Sequence, residues 1–103
     1  MTEMIEEIRK LLALNDVPVF GVAMAASLEG EPAGHRPSDL LQPATSLLCL
    51  GTPVPKGMFR SHERSEWIYW RAANTYYRYM DSVLMRVCRR IEEEGELAVP
   101  VFS

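Results

Sequence analysis

The 103-residue sequence has only two cysteines and two histidines. Cys49 and Cys88 lie 39 positions apart, so neither a disulfide framework nor a Cys-x-x-Cys redox motif is present. Zinc sites announce themselves through closely spaced ligands, and no two of His35, Cys49, His62 and Cys88 fall within four residues of each other. There is no Gly-x-Ser-x-Gly elbow, and neither cysteine has a histidine nearby in sequence. No phosphate-cradling glycine pattern occurs either. No apolar run approaches the roughly 18 residues that a membrane helix needs. The start, Met1-Thr2-Glu3-Met4-Ile5-Glu6-Glu7, is acidic where a secretory signal is basic and then apolar. These absences leave no motif for a metal, a nucleophile or a membrane. They point to reduced thiols in a cytoplasmic protein.

What is present is an ordinary globular composition, 48% apolar and 24% charged, long enough for one small domain. The net charge of −3 is unevenly spread. Residues 56–90 hold eight of the eleven Lys and Arg against three acids, a local balance of +5, while the rest of the chain stands at −8. A basic band on an acidic protein can meet an anionic partner, although such a band is more commonly the solvated face of a helix.

Residues 3–14 have helical periodicity, with Ile5, Ile8 and Leu12 on one face and Glu3, Glu6, Glu7, Arg9 and Lys10 outside. Residues 17–24 read as a strand with Pro18 near its start. A long polar connection follows, in which 38–41 can form one helical turn capped by Ser38. Residues 46–51, "SLLCLG", read as a short strand buried on both faces, punctuated by Pro43 before it and Pro53 and Pro55 after it. Leu48 and Leu50 should therefore face one layer, and Leu47 and Cys49 another.

The longest element spans about 66–94, where Ala73, Tyr77, Met80, Leu84, Val87 and Ile91 recur at spacings of three and four. Gly95 ends it, and 97–102 reads as a third strand near an edge, because of Pro100. The expected fold is α/β in the layered α+β sense: a small mixed sheet of about three strands covered by an amino-terminal helix and one long helix. One domain covers residues 1–103.

The stretch "RSHERSEWIYWRAANTYYRY", residues 60–79, mixes arginines with two tryptophans and four tyrosines. Basic residues among aromatics can grip single-stranded nucleic acid by charge and stacking. Arg60, His62, Arg64, Trp67, Tyr69 and Arg71 form the candidate partner surface. The plainer reading has Trp70, Tyr76 and Tyr77 packed on the sheet with arginines lying over aromatic faces.

Three segments, "VPVFGVAMAASLEG", "GHRPSDLLQPATSLLCLGTPVP" and "NTYYRYMDSVLMRVCRRIEEEGELAVPV", occur in that order. Together they resemble the amino-terminal segment of iron–sulfur (4Fe-4S) proteins related to epoxyqueuosine reductase, a group that includes reductive-dehalogenase-like and ferredoxin-like members. The likeness falls on Gly21-Val22-Ala23, on Pro37 to Ser46, on Tyr76 to Glu94 and on Gly95 to Pro100. It implies a non-catalytic scaffold domain at the amino-terminal end of a longer oxidoreductase. The cofactors, two four-iron clusters and in some members cobalamin, belong to downstream parts of such proteins. A cluster takes four thiolates, so no cofactor is expected in this chain. No catalytic residue carries over. The implied partner is a downstream domain or, in its place, a second copy in a homodimer. The alternative is a free-standing interaction module whose basic aromatic helix binds a partner such as tRNA or another protein.

Overall fold

The computed structural model describes residues 2–42, 44–60 and 65–102. Helix α1 (Thr2–Leu14) comes first, followed by strand β1 (Val19–Met24). A 3-10 turn (Ala25–Leu28) and the one-turn helix α2 (Pro37–Leu40) fill the connection to strand β2 (Ser46–Gly51). A second 3-10 turn (Lys56–Phe59) precedes the long helix α3 (Ser65–Glu93). The mixed α/β class expected from the periodicities is the one observed.

α1 ends in a Schellman motif. Asp16 adopts φ 60, the Val17 amide donates to the Leu12 carbonyl (2.8 Å), and the Asp16 amide donates to Ala13 (3.2 Å). Such a cap is usually completed by an apolar contact across it. Leu12 and Val17 supply it, since both are fully buried in the same core cluster. The reversal thus sends the chain from α1 directly into β1 while keeping the core side of both elements apolar.

β1 and β2 pair antiparallel, with Phe20 opposite Leu50, Gly21 opposite Cys49 and Val22 opposite Leu48. Because side chains alternate, Phe20, Leu48 and Leu50 share the inner face, where they pack against Ile8, Leu12, Val17, Val83 and Val87. α3 contributes Val83 and Val87 fully, with Met80 and Ile91 beside them. The Arg90 guanidinium donates to Glu7 and pairs with Glu94 (2.8 Å), joining the end of α3 to α1. Gly95, at φ 92, closes α3 in the conformation that favours glycine.

Three expectations change. Among the described residues the sheet has two strands rather than three. Residues 97–102 carry no strand pairing, because β-like sequence forms a ladder only where a partner edge lies alongside. Tyr77 is exposed, not core, because a 29-residue helix of about 43 Å outruns the layer beneath it. The turn at 37–40 is capped from Arg36, not Ser38: Asp39 accepts from the Gly34 amide (2.7 Å) and the Arg36 amide (3.1 Å).

Candidate interaction surfaces

Three surfaces stand out, and the first is the outer face of the hairpin. The register puts Val19, Gly21 and Ala23 of β1 beside Gly51, Cys49 and Leu47 of β2 on that face. Gly21 and Gly51 have no side chain, and the other four residues carry no charged, hydroxyl or amide group. A solvated face of an antiparallel sheet normally alternates polar residues against the apolar inner ones. Here Val19 is 59% exposed, and Gly21, Ala23 and Cys49 are exposed as well. The strand was expected to be buried on both faces. Its composition fits that burial, yet the chain covers only part of the inner face, Phe20, Leu48 and Leu50, while Val22 and Met24 on that face are exposed.

The second surface is an apolar groove of about 820 Å³ lined by α1, the β1–β2 hairpin, α2 and the residues just after it, α3 and residues 95–101. Ile5, Leu48, Leu84 and Val99 are among its walls, and among the described residues Glu96 is the one charged residue lining it. Along one side runs the outer edge of β2, since β1 occupies the other edge. Residues 96–101 also line it, and their backbone makes no backbone hydrogen bond to another element among the described residues.

The third surface is the aromatic flank at the start of α3. Trp67 is 57% and Trp70 61% exposed, and Tyr69 and Tyr77 are half exposed. The Arg71 guanidinium lies 5.7 Å from the centroid of the Trp67 ring, a cation–π arrangement. Phe59 packs on Tyr69 with centroids 5.7 Å apart and the rings tilted at 54°. That contact ties the 3-10 turn to α3 and helps explain why Met58 beside it is buried. Arg60 is exposed. The structure thus brings Trp67 and Arg71 together on one side of the start of α3 and Tyr69 against Phe59 on another, with Arg60 exposed next to Phe59, whereas His62 and Arg64 lie outside the described residues. Trp70 and Tyr77 do not pack on the sheet as the plainer reading had it.

All three surfaces leave the molecule open. The chain exposes 7840 Å², where a compact monomer of its mass exposes about 5,900 Å². Its radius of gyration is 16.0 Å, against about 13 Å for a compact domain of this length.

The thiols do not fit an iron–sulfur cluster. Cys49 is exposed on the outer sheet face, not buried as expected, and Cys88 sits half-buried on α3 beside the groove. Burial, and secondarily Glu92, pushes the Cys88 thiol above its ordinary pKa. Among the described residues no three His, Cys, Asp or Glu side chains are grouped to hold a metal ion. Among the same residues no helix is long and apolar enough to cross a membrane.

Sequence reasoning did not identify the groove, whose walls come from segments far apart in the sequence. The outer sheet face was legible, because the lack of any polar residue in alternation is visible in "VFGVAM" and "SLLCLG". No family model, no curated protein and no solved structure matches this chain.

Proposed function

We propose that this chain is a non-catalytic scaffold domain of an iron–sulfur, epoxyqueuosine-reductase-like oxidoreductase, covered in the whole protein by a cofactor-bearing domain. The observation that carries the reading is the uncovered outer face of the hairpin, where Val19, Ala23, Leu47 and Cys49 stand without a polar neighbour. Two apolar faces call for two apolar layers, and this chain supplies one of them. The covering layer is assigned to a cofactor domain because of the motifs shared with that family. In this role the hairpin is a wall: it supports the domain holding the clusters and performs no chemistry of its own. The clusters and any cobalamin would be held by the covering domain.

The test is the open reading frame that contains this chain. The reading expects the frame to continue into Cys-x-x-Cys-x-x-Cys runs, and its full product to carry iron. Val19→Asp, placed on the outer face, should then make the product less stable without unfolding the isolated chain. A stop codon directly after Ser103, or a full product indifferent to Val19→Asp, overturns the proposal.

A second reading is favoured by the exposed Trp67 and Trp70 with Arg71 alongside. It makes the chain an interaction module that grips tRNA or a protein through α3. Aromatic stacking beside basic groups gives salt-sensitive binding to nucleic acid. Gel-shift titration with tRNA at two salt concentrations decides it. Binding that weakens with salt and is lost in Trp70→Ala supports this module, and no binding at low salt rejects its nucleic-acid form.

A further inference from the structure

We infer that the outer face of α3 pairs antiparallel with the same face of a second copy of this chain. Trp67, Arg71, Asn74, Arg78, Asp81 and Met85 recur along it at steps of four and three, the spacing of a helix–helix seam. At about 100° per residue they stand roughly half a turn away from Met80, Val83 and Val87, which meet the core. A helix face turned away from its own core is normally polar. This one exposes Trp67 at 57% and Met85 at 47%, with Trp70 at 61% on its flank.

Charge fixes the direction of pairing. Residues 56–79 hold five bases and two acids, a balance of +3, and residues 80–96 hold three bases and five acids, a balance of −2. The stretch is thus positive toward the start of α3 and negative toward its end. A parallel copy would set like charge against like, whereas an antiparallel copy sets each end against its opposite. A surface that complements itself under a two-fold axis is what an isologous dimer requires, so the matching surface is the chain's own.

The middle of the helix sets the register. Arg78, Asp81, Ser82 and Met85 line an open hollow of about 390 Å³ together with Phe102, which is 52% exposed. Asp81 is half-buried, yet among the described residues neither it nor Arg78 forms a salt bridge within the chain. An axis passing between Tyr79 and Met80 puts Arg78 of each copy opposite Asp81 of the other. Two ion pairs then form at the centre, with Met85 and Phe102 beside them. Toward the ends, Arg71 comes within about 6 Å along the axis of the partner's Glu92, a carboxylate it shares with Arg89.

Sedimentation equilibrium of the full chain tests the pairing. The wild type should be a dimer that weakens as salt is added. Arg78→Asp and Asp81→Arg each set like charges against each other at two places, and each should weaken dimerisation roughly tenfold to a hundredfold. Mixed in equal amounts, the two variants should dimerise with each other, because every introduced charge then faces its opposite. A charge pair confined to one chain gives no such rescue. Helical circular dichroism should be unchanged in both, since neither residue belongs to the core cluster.

A wild type that stays monomeric up to millimolar concentration overturns the inference. So do single variants that dimerise like wild type, or a mixture that stays monomeric. Should a variant not fold, the wild type decides: acrylamide should quench the tryptophans less as protein concentration rises, and concentration-independent quenching overturns the inference. This face of α3 points away from the hairpin, so the inference and the scaffold reading stand or fall separately.

Discussion

The Tyr79 hydroxyl donates to the backbone carbonyl of Asn15, joining α3 to the end of α1 across 64 positions of sequence. The same asparagine accepts from the Arg86 guanidinium at Oδ1 (2.6 Å) and donates through Nδ2 to the Leu11 carbonyl (2.8 Å). One residue therefore caps α1 and receives α3. The Thr52 hydroxyl donates to the neighbouring Asp16 carbonyl (3.0 Å), which adds the end of β2 to this junction. Tyr79→Phe removes one solvent-accessible bond and should cost about 0.5–1.5 kcal/mol. Asn15→Ala removes two side-chain bonds and should cost more, about 1–3 kcal/mol, in urea titration. Equal effects would mean that Asn15 is not the centre of the junction.

Leu12 is 1% exposed and packs against Val17 and Val83 in the core cluster. Leu12→Ala should destabilise by about 2–5 kcal/mol. Leu40, in α2, is mostly exposed at the rim of the groove, so Leu40→Ala should change stability by no more than about 0.5 kcal/mol. Denaturant titration separates the two, and a large loss at Leu40 would place the core on the wrong side of β2.

The loop carrying Asp39 should respond to acid. The Arg36 amide, and after it the Gly34 amide, hold the Asp39 carboxyl below its ordinary pKa. A depressed carboxyl contributes order that is complete above its unfolded pKa, about 3.9, and is lost as pH falls through the lower folded value. The Gly34 and Arg36 amides should therefore lose protection from hydrogen exchange only once the pH drops below about 4. In Asp39→Asn that acid step should disappear. Its persistence in the variant would assign the order to another group.

The helices and the hairpin were legible because each has a strong local signal. Ile8 and Leu12 recur one turn apart, and the apolar run 46–51 is bounded by prolines. Periodicity did not show where each element stops meeting the others. Tyr77 sits on the apolar stripe of α3 by spacing but lies past the layer that buries Val83 and Val87. Residues 97–102 have the composition of a strand, and no local signal reports whether an edge is available to pair with. The groove is no more local. Its walls meet only in three dimensions, so no window of sequence contains it.

The central claim is that the outer face of the hairpin is covered by a second protein layer, and Cys49 stands on that face as a native reporter. In the isolated chain Cys49 should be alkylated by iodoacetamide well before Cys88, which is half-buried and whose raised pKa leaves less reactive thiolate. Mass spectrometry should then show Cys49 in the product of the whole reading frame reacting at least about tenfold more slowly than in the isolated chain, as befits a thiol moved from solvent into an apolar interface. Cys49 reacting at the same rate in both proteins would contradict the account.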